Sequence, residues 1–153
     1  MTHAHTAIVI DTREQTPLVF PPTVPTIRGT LRTGDYSVMG YEDSFAVERK
    51  SLPDLVNTII HGRARFEREL ERMRSIAFRR VLVTSPYGAV ARGEYAHSKA
   101  NPRSVIASIT AFEARYNVPF IFALNPCEGS ARLLDWARYF VRERLRNPAA
   151  VRS

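Results

Sequence analysis

The sequence has little of what marks exported, disulfide-stabilised or membrane-spanning proteins. It contains one cysteine, Cys127, which excludes an intramolecular disulfide and fits a reducing compartment. No apolar run approaches the ~20 residues that a transmembrane helix requires. The first residues have neither the basic flank nor the apolar core of a signal peptide. We therefore expect a cytoplasmic protein of 153 residues that folds as one domain and has no membrane partner.

Lysine is also scarce, because twenty of the 22 basic residues are arginine and only Lys50 and Lys99 are lysine. The formal net charge of +7 predicts a polyanionic partner. The planar guanidinium of arginine suits phosphate, whereas lysine is a compact charge whose pKa is easily changed by its surroundings. Lys50 is therefore a candidate for a chemical role. A high genomic G+C content, which also enriches alanine, is a second explanation of the general excess of arginine.

Apolar patterning predicts an α/β protein whose second half alternates between strands and helices. Apolar or alternating runs predict strands over 6–10, 26–32, 36–39, 44–50, 80–84 and 120–124. Helical spacing and capping residues predict helices over 52–61, 64–77, 102–116 and 130–146, with a long polar loop over 85–100. Fully apolar strands separated by helices imply right-handed crossovers and a partly parallel sheet. We therefore expect a three-layer α/β sandwich with a central mixed β-sheet flanked by helices.

The segment 34–54 holds the residues with the clearest chemistry. Side chains alternate between the two faces of a strand, so Glu48 and Lys50 share one face and Arg49 points to the other. If Asp35 lies on the neighbouring strand, its carboxylate reaches the same place. Two carboxylates and a lysine beside a phosphodiester make a metal-dependent phosphodiesterase centre.

Four motifs, taken in order, resemble those of the XPF-type structure-specific endonucleases, which belong to the PD-(D/E)xK restriction-like nuclease group. They are Asp11-Thr12-Arg13-Glu14, Gly34-Asp35, Glu48-Arg49-Lys50 with Asp54, and Gly62-Arg63. The resemblance covers nearly the whole chain and implies a restriction-endonuclease-like fold for a single nuclease domain over residues 1–153. Larger members carry a helix-hairpin-helix DNA-binding module that we do not expect here. Substrate recognition finer than branched or flapped DNA is therefore left open.

The resemblance also implies roles for individual residues. Asp35 and Glu48 would bind a divalent metal, with Asp11 as a further ligand and Glu14 as an acidic group nearby. The ion would be Mg²⁺, with Mn²⁺ as a substitute, and it would acidify a water molecule and stabilise charge on the phosphate. Lys50 would orient that water or balance the same charge. The expected activity is that of a Mg²⁺-dependent endodeoxyribonuclease.

These residues also have ordinary structural explanations. Asp54 is placed to cap the helix that begins after Ser51, and this explanation stands beside a supporting catalytic role. Asp35 follows a glycine, where aspartate is favoured in turns. Ion pairing alone explains two further sets: Glu14 with Arg13 or with Arg49, and Glu48 with Lys50.

Arginines close to these motifs are the predicted DNA contacts: Arg13, Arg49, Arg63, Arg65, Arg68 and Arg72. A solvated helix face is the alternative for the last four, and the side chain of Arg49 points away from the acidic residues. The loop over 85–100 mixes aromatic and cationic residues, as DNA-contacting surfaces do: Tyr87, Arg92, Tyr95, His97 and Lys99. His3 and His5 have metal-like spacing but lie at the terminus, and we interpret them as incidental.

The last predicted helix is apolar around more of its circumference than one buried stripe requires. The residues concerned are Leu133, Leu134, Trp136, Ala137, Tyr139, Phe140, Val141 and Leu145. Because XPF-type nuclease domains dimerise, we expect a homodimer through this region, and a protein partner for substrate recognition remains possible. The alternative functions are a non-catalytic DNA-binding or scaffolding module of the same fold and an RNA-directed protein.

Overall fold

The computed structural model describes residues 6–96 and 98–148, and within them six strands form one mixed sheet. The strands are β1 (Ile8–Asp11), β2 (Thr26–Gly29), β3 (Tyr36–Val38), β4 (Phe45–Lys50), β5 (Phe78–Val83) and β6 (Phe120–Phe122). Their order across the sheet is β2-β1-β3-β4-β5-β6. Strand β3 runs antiparallel to both β1 and β4, and the remaining pairs are parallel. His97, His3 and His5 lie outside the described residues.

In the described part of the chain, five helices accompany the sheet: α1 (Leu52–His61), α2 (Arg63–Met73), α3 (Tyr87–Ala91), α4 (Pro102–Tyr116) and α5 (Pro126–Arg146). Helices α1, α2 and α4 share one hydrophobic core with residues of β5 such as Val81 and Val83. Helix α5 packs on the opposite face, against side chains that include Phe45 and Val47 of β4. The predicted three-layer sandwich with a mixed central sheet is therefore confirmed. None of these helices is long and apolar enough to cross a bilayer.

Helix starts follow the predicted capping signals. Ser51 accepts a hydrogen bond from the backbone N–H of Asp54 at 3.2 Å, and α1 then begins at Leu52. Asn101 caps α4 in the same way, with Pro102 in the first turn, where its missing N–H costs nothing. Asn117 ends α4 in a left-handed conformation, with φ of 53°.

Some predicted boundaries are wrong by one to four residues. Helix α5 begins at Pro126 and not at residue 130, because the side chain of Asn125 caps it by accepting from the N–H of Glu128 at 2.9 Å. Helix α2 ends at Met73, four residues before its predicted end at Ala77, which is exposed. Strand β2 ends at Gly29, and strand β5 begins two residues early, at Phe78. The segment predicted as an uninterrupted loop contains the short helix α3.

Only part of the apolar surface of α5 is buried. Leu133, Ala137 and Val141 pack on the sheet, whereas Tyr139 and Leu145 have 61% and 63% of their surface exposed. The guanidinium of Arg142 stacks on the Tyr139 ring at 5.6 Å and covers part of it. The excess of apolar residues predicted for this helix is therefore present at its surface.

Candidate active site

Three neighbouring strands bring three carboxylates into one row. Asp11 ends β1, Asp35 immediately precedes β3, and Glu48 lies in β4. The N–H of Asp11 donates to the carbonyl of Asp35 at 2.8 Å, so the two residues face each other directly. The strand register that fixes this row pairs Ile10 with Tyr36, and Tyr36 with Val47. Because these three residues belong to the core on the α5 side, the acidic side chains point toward α1 and α2.

Asp35, Glu48 and Lys50 form a compact group on this face. The ammonium Nζ of Lys50 is 3.6 Å from Oε1 of Glu48 and lies 5.3 Å from the centre of the Phe66 ring. The backbone N–H of Arg49 donates to Oδ2 of Asp35 at 2.8 Å, which ties this carboxylate to β4. The predicted sharing of one strand face by Glu48 and Lys50 is confirmed, and Asp35 reaches the same place.

Burial makes the charged forms of both carboxylates costly. It raises the pKa of Asp35 to about 6, and the nearby charge of Glu14 acts in the same direction. Burial also raises the pKa of Glu48 well above its usual range, with further contributions from the charges of Asp35 and Glu69. The ammonium of Lys50 lowers the pKa of both groups but does not offset burial. The buried carboxylate of Glu48 beside the half-buried carboxylate of Asp35 therefore favours the approach of a further cation.

This donor set fits a hard divalent ion such as Mg²⁺, which takes one or two protein carboxylates and keeps several water molecules. Within residues 6–96 and 98–148 there is no group of three or more histidine, cysteine, aspartate or glutamate side chains arranged to hold a metal. Asp35 and Glu48, whose carboxylates lie side by side, would hold such an ion.

The carboxylate of Asp11 already has protein partners. It accepts from the N–H of Leu31 at 2.8 Å and from Nε of Arg13 at 2.8 Å, and only 1% of the residue is exposed. Burial alone would raise the pKa of Asp11, but these hydrogen bonds outweigh it and the net shift is downward. The metal-binding role of Asp11 stays a prediction, because its oxygens are committed to the loop that follows β1.

The backbone N–H of Glu14 donates to the carbonyl of Asp11 at 3.0 Å, which places Glu14 in the loop that follows β1. Its role as a further acidic group of the site stays a prediction. Arg13 pairs with Asp11 and not with Glu14, so the predicted Arg13–Glu14 pair is not formed. Arg28, which sequence analysis missed, donates to the carbonyls of Asp11 and Glu14 at 2.9 Å each and holds this loop in place.

Asp54 lies in the first turn of α1, where its backbone N–H donates to the capping hydroxyl of Ser51. Its side chain lines a cavity of about 270 Å³ between α1 and the segment around Tyr95. The helix cap provided by Ser51 is confirmed, whereas the capping role of the Asp54 carboxylate and its supporting catalytic role both stay predictions.

The predicted DNA-contacting arginines divide into two sets. Arg63 faces α4, where it donates to Oγ of Ser108 at 2.9 Å and stacks on a phenylalanine ring. Arg49 points to the α5 side and donates to the carbonyl of Thr16 at 2.8 Å. The others have exposed or partly exposed guanidinium groups: Arg13, Arg65, Arg68 and Arg72.

Glu69 of α2 is a neighbour of the site that sequence analysis did not identify. Its Oε1 accepts from the backbone N–H of Gly34 at 3.0 Å, and its Oε2 pairs with Arg72. The two residues of the first contact are 35 positions apart, and only the fold brings them together. One feature of the sequence could have indicated this role, because Glu69 lies between arginines on one face of the predicted helix.

Replacing Asp35 with asparagine should stabilise the metal-free protein at high pH. Because the folded-state pKa is raised to about 6, the folded state binds this proton more tightly than the unfolded state, and stability falls as pH rises from about 4 through 6. Asparagine is neutral and keeps the oxygen that accepts from Arg49. In a chelator at pH 8 we expect a rise of roughly 2–8 °C in Tm, shrinking toward pH 4. Asp43→Asn, in an exposed loop, is the control, and equal midpoints at pH 8 would contradict the prediction.

A mixed three-layer sandwich that brings the half-buried Asp35, the buried Glu48 and Lys50 together has the architecture of a restriction-endonuclease-like nuclease domain. The chain belongs to the ERCC4 domain family, whose sequence model matches residues 10–134. No curated protein gives a significant match to the sequence.

The fold is similar to two solved structures of XPF from Aeropyrum pernix. One is 22% identical with a TM-score of 0.70, and the match covers 89% of this chain and 62% of that chain. The other, XPF from Aeropyrum pernix in complex with DNA, is 25% identical with a TM-score of 0.67, and the match covers 92% of this chain and 67% of that chain. The chain thus spans about two thirds of these XPF chains. The resemblance to XPF-type nuclease domains is confirmed.

Proposed function

We propose that this domain is a Mg²⁺-dependent DNA endonuclease that hydrolyses phosphodiester bonds in branched, flapped or otherwise structured DNA. The observation that carries the proposal is the group formed by Asp35, Glu48 and Lys50 on one face of the sheet. The relation to XPF, one structure of which is a complex with DNA, supports DNA as the substrate. The basic net charge of +7 agrees with a polyanionic partner.

Each residue of the group has a chemical task in this proposal. Asp35 and Glu48 would hold the ion, which supplies Lewis acidity and a more acidic water when bound. Lys50 presents an ammonium 3.6 Å from Glu48, so its N–H groups and charge can orient the attacking water or stabilise the charge that develops on the phosphate. Phe66 lies beneath the ammonium and limits its exposure to water, which strengthens its electrostatic effect.

The test is cleavage of end-labelled flap, fork and linear duplex DNA, with Mg²⁺ or Mn²⁺ and with a chelator. We expect cleavage that needs the divalent ion and favours a branched substrate over linear duplex. Salt-dependent DNA binding without metal-stimulated cleavage would instead support the non-catalytic module, and an RNA competitor distinguishes the two nucleic acids. Cleavage that persists unchanged in the chelator would contradict the proposal.

The exposed side of α2 is the proposed DNA-tracking surface. Arg65, Arg68 and Arg72 lie within about a third of the helix circumference, because they are three, four and seven positions apart. Glu69 lies on the same side and contacts Gly34, so this surface adjoins the candidate site. A duplex whose phosphate contacts Asp35 and Glu48 through a metal would therefore pass close to these arginines.

The double substitution of Arg65 and Arg68 by alanine should weaken DNA binding at every sequence and reduce its salt dependence. Each lost phosphate contact lowers the slope of log K against log salt by about 0.9. We expect a slope smaller by about 2 in fluorescence anisotropy measured with Ca²⁺ in place of Mg²⁺. The matched control removes Arg103 and Arg138, which are exposed on α4 and α5. Equal slopes for the two double variants would show that charge alone, and not this surface, determines binding.

We also propose that the domain forms a homodimer through α5. Exposed Tyr139 and Leu145 on this helix support an apolar interface. Sedimentation should show a dimer at micromolar concentration, and a strict monomer would contradict this part of the proposal.

A further inference from the structure

We propose that Glu69 is a positioning residue, which fixes the turn at Gly34 and thereby holds Asp35 in place beside Glu48. This inference rests on the proposed function of the Asp35–Glu48 pair. It assigns a task to a helix side chain that lies outside the four motifs. It also connects the proposed DNA-tracking surface of α2 with the candidate metal ligands.

The turn before Asp35 has little freedom on its strand side. Gly34 has a positive φ of 85°, which a residue with a side chain rarely adopts. A Cβ at this position would lie 3.2 Å from the carbonyl oxygen of Val47, so the turn is pressed against β4. The N–H of Asp35 donates to the same carbonyl at 2.9 Å, and Arg49 donates to its carboxylate. Strand β4 therefore holds this turn from one side.

Glu69 holds the turn from the side of the helices. Oε1 of Glu69 accepts from the N–H of Gly34 at 3.0 Å, and the side chain of Glu69 is only 21% exposed. The N–H of Gly34 immediately precedes the residue that binds the metal in our proposal. A hydrogen bond from a charged acceptor at this point is stronger than one between neutral groups.

Both oxygens of Glu69 are engaged, which distinguishes this residue from a metal ligand. Oε2 pairs with the guanidinium of Arg72, one turn further along α2. Arg72 thus places a positive charge beside the carboxylate of Glu69. The contacts of Glu69 with Arg72 and with Gly34 therefore connect the exposed arginines of α2 to the turn before Asp35.

Loss of the Gly34 hydrogen bond should therefore affect metal binding and turnover more than DNA binding. Substitution of a residue that orients a metal ligand typically costs 10–100-fold in metal affinity or activity. For Glu69→Ala we expect kcat to fall about 10–100-fold and the Mg²⁺ concentration at half-maximal rate to rise about tenfold. KM for DNA should change by less than about threefold, because the arginines of α2 remain. Glu69→Gln keeps an oxygen that accepts from Gly34 and should restore kcat to within about fivefold of the wild type.

The experiment combines a cleavage assay with direct measurement of Mn²⁺ affinity by calorimetry on the whole chain without DNA. Mn²⁺ affinity should fall about tenfold in Glu69→Ala and recover in Glu69→Gln. Arg72→Ala separates the two contacts of the carboxylate, since it leaves the Gly34 bond intact and should keep Mn²⁺ affinity within about threefold of the wild type. Circular dichroism and Tm show whether each variant is folded, and Glu69→Gln provides the comparison if Glu69→Ala is not.

The two readouts distinguish this inference from the proposed function. If the wild type binds Mn²⁺ but cleaves no DNA, the proposed nuclease activity fails while the affinity series still decides the role of Glu69. Unchanged Mn²⁺ affinity in a folded Glu69→Ala protein would overturn the inference, as would a Glu69→Gln protein with the same loss of affinity. If the wild type binds no Mn²⁺, both proposals fail.

Discussion

Replacing Glu48 with glutamine is expected to lower the rate of DNA cleavage at saturating Mg²⁺ by about 10²–10³-fold while leaving the protein folded. Glu48 is 9% exposed, and its carboxylate lies beside that of Asp35 and 3.6 Å from the ammonium of Lys50. Glutamine has the same shape but carries no charge, so it is a poor ligand for a hard cation. The measurement is single-turnover cleavage of a flap substrate together with Mn²⁺ affinity.

The electrostatics of the site also predict the stability of this variant. Burial raises the pKa of Glu48, which means that the folded protein tolerates the neutral form better than the charged one. Neutral glutamine should therefore leave Tm at pH 8 in a chelator unchanged or higher, so a loss of activity would not reflect unfolding. The matched control is Glu71→Gln, because Glu71 is exposed on α2. If the Glu48→Gln protein cleaved DNA as fast as the Glu71→Gln control, the catalytic role of Glu48 would be contradicted.

The cost of ionising Asp35 and Glu48 in the fold also gives a reason why this site would bind a metal ion. Burial makes Asp35 and Glu48 harder to ionise than ordinary carboxyl groups, and Lys50 offsets only part of that cost. A divalent ion would offset the rest by stabilising both charges. We therefore expect the protein to exchange some stability in the metal-free state for a site that binds a cation tightly, as functional sites often do.

The parts of the fold that were predicted correctly depend on local signals. The hairpin of β3 and β4 follows from alternation, and α1 follows from the capping hydroxyl of Ser51 and the change to helical spacing. The start of α5 was predicted late because Gly129 reads as a helix boundary in sequence. In the fold it lies inside the helix, where a Cβ would come within 3.0 Å of the Thr84 side chain. This glycine permits close packing of α5 on β5 and does not end the helix.

The candidate site likewise contains some residues that local sequence patterns predict and others that only the tertiary fold brings together. Asp35, Glu48 and Lys50 could be predicted because strand alternation and one hairpin are enough to bring them together. The contacts of Arg28 and Glu69 join residues 14 to 35 positions apart and depend on how the elements pack. No local pattern indicates such contacts.

Asp11 is a predicted metal ligand whose carboxylate already accepts hydrogen bonds from Leu31 and Arg13, and its substitution by alanine should be strongly destabilising. The change would leave the buried N–H of Leu31 without its acceptor at 2.8 Å and would remove the ion pair of Arg13, whose guanidinium still donates to the carbonyl of Leu31. Because the side chain of Arg13 is 69% exposed, most of the cost comes from Leu31. A buried group that loses its hydrogen bond costs about 1–3 kcal/mol, so we expect the free energy of unfolding to fall by about 2–3 kcal/mol. The measurement is urea unfolding at pH 7 in a chelator, which removes any contribution from bound metal.

Asp11→Asn separates the structural role of Asp11 from a role as a metal ligand. Asparagine keeps an oxygen that can accept from Leu31, and we expect a loss of only about 1 kcal/mol at pH 7. The pKa of Asp11 is lowered in the folded state, so its stabilising effect is present above the unfolded-state pKa and is lost as pH falls through the folded-state value. The difference between wild type and Asp11→Asn should therefore shrink on acidification. If Mn²⁺ affinity fell more than tenfold in Asp11→Asn while the unfolding free energies of both variants stayed at the wild-type value, Asp11 would be a metal ligand and the structural interpretation would be wrong.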